Sequence, residues 1–216
     1  MTLKLYYHPL SSFCWKVQIA LYENATPFEP VVVNLQDPVS RAQFLEVWPI
    51  GKFPVIRDEA RDRMVPESSI VIEYLDQHFP GRTKFIPADP DRARQTRMRD
   101  RFFDLYIQVP MQKIVGDRFR PAGQKDAAGV AQARDQLKTA LGMVEEDIGT
   151  NWVMGEDFTM ADCAAAPALF YADKVMPLEG ARTKAYFERL KARPSFARTL
   201  KEAEPYLAMF PAEDRA

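Results

Sequence analysis

The sequence predicts an α/β domain followed by an all-helical one, and three observations carry that prediction. Strand, helix and strand patterns alternate through the first eighty residues. Three prolines and a glycine then crowd the stretch from Phe79 to Pro90, as at a domain boundary. Beyond it strand patterns stop and long helical periodicities take over. The length of 216 residues allows two modest domains or one large one. With 47% hydrophobic and 27% charged residues, the chain has the composition of a folded globular protein rather than a disordered one.

Each element follows from local chemistry. Leu3 to His8 is short, apolar and aromatic, and reads as a strand that Pro9-Leu-Ser-Ser12 interrupts. Phe13 to Tyr22 carries Val17, Ala20 and Leu21 on one helical stripe. Phe28 to Val33 is β-branched and forms a second strand, so a parallel βαβ pair is expected. Ser40 to Trp48 is a short helix that stops before Pro49. Phe53 to Arg57 and Arg63 to Pro66 flank a charged turn and read as an antiparallel pair. Ser68 to His78 places Ile70, Val71, Tyr74 and Leu75 at helical spacing. Past the break, Pro90 to about Asp117, Lys125 to Ile148, Thr159 to Lys174, Ala181 to Ala192 and Ser195 to Glu204 are all helical. A βαβ half, a ββα half and a helical bundle in this order describe a thioredoxin-like domain (residues 1–79), a linker (80–90) and an all-helical domain (91–216).

Charge and composition exclude several classes. Lys and Arg total 29 against 30 for Asp and Glu. The first eighty residues hold 7 basic and 10 acidic side chains and the remainder 22 and 20. Neither part has the one-signed field of a nucleic-acid or membrane-surface binder. The start lacks the basic-then-apolar pattern of a signal peptide. The longest uncharged apolar run, Cys163 to Ala172, is far short of the ~18 residues that span a membrane. Cys14 and Cys163 stand too far apart in sequence for a disulfide scaffold or a local metal knuckle, so a reducing cytoplasmic setting without metal is expected.

Three short motifs bear on chemistry. Ser11-Ser-Phe-Cys14 opens the first helix, where free N–H groups and a partial positive charge stabilise an anion such as a thiolate. Either serine serves equally as a simple N-cap, and Cys14 as a small buried hydrophobe. Gly51-Lys-Phe-Pro-Val55 sets Pro54 at a strand entry, where a cis Phe53–Pro54 bond would present the Phe53 backbone to a peptide-like ligand. Pro66-Glu-Ser-Ser69 opens another helix. There Ser68 and the helix end suit an α-carboxylate, and Glu67 an ammonium. Ordinary capping accounts for the same residues.

The order and spacing of these motifs resemble the cytosolic glutathione transferases along nearly the whole chain. Ser11-Ser-Phe-Cys-Trp-Lys-Val17 is similar to the catalytic-serine segment of theta-like and zeta-like members. Trp48-Pro-Ile-Gly-Lys-Phe-Pro-Val55 is similar to their asparagine-proline-x-glycine-lysine-x-proline stretch, with Trp48 where asparagine is common. Glu67-Ser-Ser-Ile-Val-Ile-Glu-Tyr-Leu75, Phe158-Thr-Met-Ala-Asp162 and Arg193-Pro-Ser-Phe196 resemble three further family segments.

The resemblance implies roles for individual residues. Ser11 would hydrogen-bond the glutathione sulfur, with Ser12 the close competitor. Phe13 and the backbone of Phe53, before a cis Pro54, would contact the tripeptide. Glu67 and Ser68 would hold its γ-glutamyl end, Lys52 a carboxylate or the peptide backbone, and Arg41 the glycine carboxylate. Cys14 takes the second cysteine place of the related glutaredoxin motif, whose first place is Ser11, which argues against dithiol redox chemistry. Tyr106, Met111 and Phe119 would wall an electrophile site. Thr159 and Asp162 form a structural capping box. The charged run Arg97 to Tyr106 reads as a solvated or subunit-facing surface, and His8 and His78 receive no role. The expected function is conjugation of glutathione, as co-substrate, to a small and largely apolar electrophile. The expected enzyme is a cytoplasmic homodimer of the detoxification type. The alternatives are a glutathione-dependent isomerase, dehalogenase or lyase, and a non-catalytic interaction protein on the same fold.

Overall fold

The computed structural model describes residues 3–211. Its first part is a four-stranded mixed sheet of β1 (Leu3–Tyr7), β2 (Glu29–Val32), β3 (Val55–Asp58) and β4 (Arg63–Pro66), in the order β2-β1-β3-β4. The short β1–β2 crossover through α1 (Ser12–Glu23) makes that pair parallel, with Leu5 opposite Pro30. The tight turn after β3 makes β3 and β4 antiparallel, and β3 is also antiparallel to β1. α2 (Pro38–Val47) and α3 (Ser68–His78) complete a thioredoxin-like domain. α2 starts two residues earlier than its periodicity predicts. Asp37 accepts the Ser40 N–H at 2.7 Å and Pro38 occupies the first turn, a start signal that apolar spacing does not reveal.

No helix or strand occupies residues 79–89. The helical domain then runs through α4 (Pro90–Phe102), α5 (Val109–Arg118), α6 (Ala127–Asp147), α7 (Met160–Val175), α8 (Ala181–Ala192) and α9 (Pro194–Ala203). The single helix expected from Pro90 to Asp117 is in fact divided. Phe103–Gln108 forms a π-helical turn between α4 and α5, a wider winding that shifts the phase of every residue after it.

The two domains share a core built around α1, which packs against α3, α7 and α9. Trp15 is fully buried against Phe170 and Tyr171, both with ring centroids at 5.0 Å. Small residues on α7, Ala164 to Ala166 and Ala168, let helices approach it closely. At the other end of α1, Glu23 accepts from Arg193 Nε at 2.9 Å and from Ser195 Oγ at 2.8 Å. The Arg193-Pro-Ser-Phe196 segment thus ties α9 to the first domain. Asp162 does more than cap α7. It accepts the Thr159 N–H at 2.8 Å, the Val153 N–H at 2.9 Å and the Tyr186 hydroxyl at 2.7 Å, pinning a loop and α8 to the same carboxylate. Burial pushes this carboxyl up to about 6 against those bonds.

In the charged run at the end of α4, expected as a solvated or subunit-facing surface, Arg97 and Arg101 are exposed but the two aspartates are not. Asp100 and Asp104 are buried, and Lys16 of α1 reaches between them. Its ammonium lies 2.6 Å from Asp100 Oδ1 and 2.8 Å from both Asp104 Oδ2 and the Ser69 hydroxyl. Ser69 in turn donates to Asp100 Oδ2 at 2.6 Å. Burial raises the Asp100 carboxyl above its usual range, opposed by Lys16 and reinforced by Asp104. Removing one member of such a buried set strands the others, at a cost of about 3–5 kcal/mol. Lys16→Met is therefore expected to lower unfolding free energy by roughly that amount in chemical denaturation, whereas Arg94→Met, at an exposed pair with Asp91, changes it by less than about 1 kcal/mol.

Candidate active site

The loop from His8 to Ser11 delivers the α1 N-terminus to the surface between the domains. Tyr171 of α7 donates to the Leu10 carbonyl at 2.8 Å, and the Ser11 N–H donates to the His8 carbonyl at 2.9 Å. Ser11 is the N-cap. Its Oγ accepts the Cys14 N–H at 3.3 Å, and its hydroxyl proton remains available to donate. Ser12, buried, accepts a hydrogen bond from the Gln108 amide. No acidic side chain lies in the first turn, so nothing offsets the partial positive charge there. Cys14 does not profit from that charge. Burial pushes its thiol up to about 12 despite the Ser11 hydrogen bond. His8 is lowered by burial and accepts the Leu10 N–H on Nδ1 at 3.2 Å, so it is a neutral imidazole at pH 7.

Two cavities meet at this helix end. The first, about 460 Å³, is lined by Ser11, Ser12, Met111, Phe119, Tyr171 and Phe210 among others, and no Asp, Glu, Lys or Arg among the described residues contributes to it. Its far wall comes from residues 209–211, where Phe210 stacks on Tyr171 at 5.6 Å and Arg118 donates to the Pro211 carbonyl at 3.0 Å. The second, about 240 Å³, is lined by Phe13, Lys52, Phe53, Glu67, Ser68 and Arg101, with Asp104 beneath them. Phe53 and Gln112 border both. The Phe53–Pro54 bond is cis, as its place at the strand entry predicts, and Phe53 lies outside both strand ladders. Glu67, the cap of α3, holds a φ of +69°, a left-handed conformation that a non-glycine residue adopts at a cost of order 1–3 kcal/mol. That strain concentrates at a cavity rim, as it commonly does at ligand sites.

Ser11, Ser12, Met111 and Phe119 therefore share one cavity, and Phe13, Lys52, Phe53, Pro54, Glu67 and Ser68 the other. Two expected residues lie elsewhere. Arg41 is exposed on α2 and borders neither cavity, while Arg101 supplies a second cation beside Lys52. Tyr106 is turned to a different hollow with Pro110 and Met143, because the π-helical turn alters the phase of this stretch. In the sequence His8 receives no role, Arg101 and Asp104 read as surface charges, and Gln108 and the 209–211 segment are passed over. No local pattern distinguishes them, since each reaches the site only through packing. Among the described residues no cluster of His, Cys, Asp or Glu could hold a metal ion, and no helix is long and apolar enough to cross a membrane.

A thioredoxin-like domain carrying a helical bundle, with a serine-capped helix end at their junction, defines a class of protein, and comparison with known sequences bears on its members. Residues 5–83 match the family described as Glutathione S-transferase, N-terminal domain, and residues 127–198 the one described as Glutathione S-transferase, C-terminal domain. The chain belongs to the cytosolic glutathione transferase superfamily. It is 28% identical over 198 residues to a stringent starvation protein A homolog of Haemophilus influenzae, covering 89% of this chain and 87% of that protein. It is 26% identical over 217 residues to a glutathione S-transferase of Pseudomonas putida, covering 96% of each. A glutathione S-transferase from Methylobacillus flagellatus, solved with glutathione bound, superposes with a TM-score of 0.83 at 24% identity, over 91% of this chain and 98% of that one.

The two cysteines are both free and buried, and burial raises both thiols, so neither supplies a thiolate at neutral pH. The native protein is expected to leave a colourimetric disulfide reagent unreduced at pH 8 and to release both thiols only in denaturant. A rapidly reacting native thiol would contradict the burial of Cys14.

Proposed function

We propose that this protein is a serine-type, theta- or zeta-like glutathione transferase that conjugates the glutathione thiolate to a small, neutral, largely apolar electrophile. The observation that carries this reading is the α1 N-terminus, with Ser11 and Ser12, opening onto an uncharged cavity that adjoins a charged one. Glutathione is zwitterionic at its γ-glutamyl end, which matches Glu67, Ser68 and the α3 N-terminus. Lys52 and Arg101 offer counter-charges for its carboxylates, and Phe53 a backbone edge for the cysteinyl unit.

The chemistry then rests on ionising the thiol. A reference thiol near pKa ~8.5 is mostly protonated at pH 7. The helix end contributes ~0.3–1 kcal/mol when exposed and up to ~2 when partly buried, and a serine hydrogen bond to the anion ~1.5–3. Together these lower the thiol pKa by about two units, at 1.36 kcal/mol per unit. Ser11 has no base beside it to make it a nucleophile, since the nearby His8 ring spends Nδ1 on the Leu10 N–H. Its part is to donate to sulfur. The thiolate attacks the electrophile held against Met111, Phe119 and Phe210 and forms a thioether; a displaced halide leaves through the open cavity, whereas addition to an enone or epoxide leaves an enolate or alkoxide that takes a proton from water there.

The lining argues between alternatives. A doubly anionic isomerase substrate would enter the first cavity with no cationic side chain among the described residues to meet it, which favours conjugation. The relatives described as stringent starvation protein A homologs favour a second reading, an interaction protein that keeps the fold. The exposed apolar side chains Met98, Leu105 and Tyr106 fit a homodimer face, and the reduced, buried cysteines fit a cytoplasmic setting with a detoxifying role.

Ser11→Ala is expected to keep glutathione affinity, raise the pH at which bound thiolate absorbs in the ultraviolet, and slow conjugation of a halide or enone most at low pH. Glu67→Ala is expected to weaken glutathione binding by roughly 10- to 150-fold in titration calorimetry, the loss of one charge-assisted hydrogen bond. Wild-type protein that neither binds glutathione nor turns over a panel of halides, epoxides, peroxides and enones would instead support the interaction protein.

A further inference from the structure

Gln108 is the last residue of the π-helical turn, and it makes contact across the two domains. It is 2% exposed, it borders the first cavity, and its side-chain amide donates to Ser12 Oγ, 96 residues earlier in the chain. Its other end, Oε1, is buried with no hydrogen-bond partner in the described protein. A buried carbonyl left without a donor is unfavourable and is uncommon in folded proteins unless something else fills it. π-Helical turns inside helices also gather at functional sites, and this one delivers a polar side chain to the uncharged wall of the first cavity.

The proton count at Ser12 gives this contact its meaning. A serine hydroxyl has one proton to donate and two lone pairs. If Gln108 presented its carbonyl, Ser12 would give that proton to Gln108 and face the cavity with lone pairs, which repel an anion. With the amide N–H on Ser12 Oγ, the proton is left for whatever sits at the helix end.

We propose that Gln108 is a positioning residue that turns the Ser12 hydroxyl toward the glutathione sulfur, making Ser12 a second donor to the thiolate beside Ser11. This rests on the glutathione reading given above. It also gives the π-helical turn a purpose, since the shift in phase sets Gln108 against α1.

The test is the thiolate absorbance of the glutathione complex against pH, at saturating glutathione, for wild type, Ser12→Ala, Gln108→Met, Gln108→Glu and the Ser12→Ala/Gln108→Met double variant. Ser12→Ala is expected to raise the apparent thiol pKa by about one unit, the lower end of one hydrogen bond to a charged group. Gln108→Met, similar in volume but without hydrogen bonds, is expected to shift it the same way, and the double variant to add nothing to Ser12→Ala. Gln108→Glu, which accepts the Ser12 proton and adds a negative charge, is expected to shift it further upward. A purely structural role would lower thermal stability and leave the titration where it was. A normal wild-type titration with Ser12→Ala or Gln108→Met unmoved, or with additive shifts in the double variant, overturns this inference alone. Absence of any thiolate band in the wild-type complex overturns it together with the transferase reading. Should Gln108→Met not fold, Ser12→Ala decides: no shift overturns the inference, and a shift that Gln108→Glu matches or exceeds supports it.

Discussion

An ammonium in a protein core demands counter-charge within a few ångströms, and Lys16 is placed so that only both domains together supply it. Asp100 and Asp104 come from the end of α4 and the π-helical turn, and Ser69 from the first turn of α3. Attraction in this dry setting must offset the desolvation of three ionisable groups, which it does only with every partner in register. The cluster therefore acts as a spacing gauge. It holds the N-termini of α1 and α3 against α4, and Ser68, on the rim of the charged cavity, directly precedes Ser69. The wall of the charged cavity and the interface between the domains are held by the same contacts.

α1 is the element that both domains need. Its body is buried on nearly every side, under the sheet and against α7 and α9, yet its first turn must meet solvent at the cavity mouth. Trp15 anchors the buried part through Phe170 and Tyr171, and Tyr171 also holds the Leu10 carbonyl just before the helix start. Cys14 shows how local that electrostatic gift is. Three residues in from the cap, burial outweighs the helix charge and the thiol stays neutral. The positive end is thus left for an external anion, which is the arrangement a thiol-activating site requires.

The two cavities divide the labour by polarity. Lys52, Glu67, Ser68 and Arg101 give one of them a set of charged and polar handles, while the other relies on Met111, Phe119 and Phe210 with neutral amides around them. They share a border at Phe53 and Gln112, with the serines of α1 on the apolar side of it. Closure of the apolar side by residues 209–211 depends on the stack of Phe210 on Tyr171, so the wall of one domain is completed by a residue that also steadies the helix end of the other.

Much of this was legible along the chain, because the forces involved are local. Strand and helix periodicity, the short crossover that makes β1 and β2 parallel, the tight turn that makes β3 and β4 antiparallel, the Thr159–Asp162 box and the proline at the β3 entry all act over a few residues. The serines at the α1 start and the Glu67-Ser68 pair at the α3 start were legible for the same reason. What tertiary structure alone decided are the partners of side chains on long helices. Asp100 and Asp104 read as surface charges until Lys16 is packed against them, Arg41 and Tyr106 line neither of the two cavities, and Gln108 meets Ser12 across 96 residues. The direction of a helical side chain depends on the phase of the whole helix. One wide turn at Phe103–Gln108 resets that phase, and no run of neighbouring residues announces where it falls.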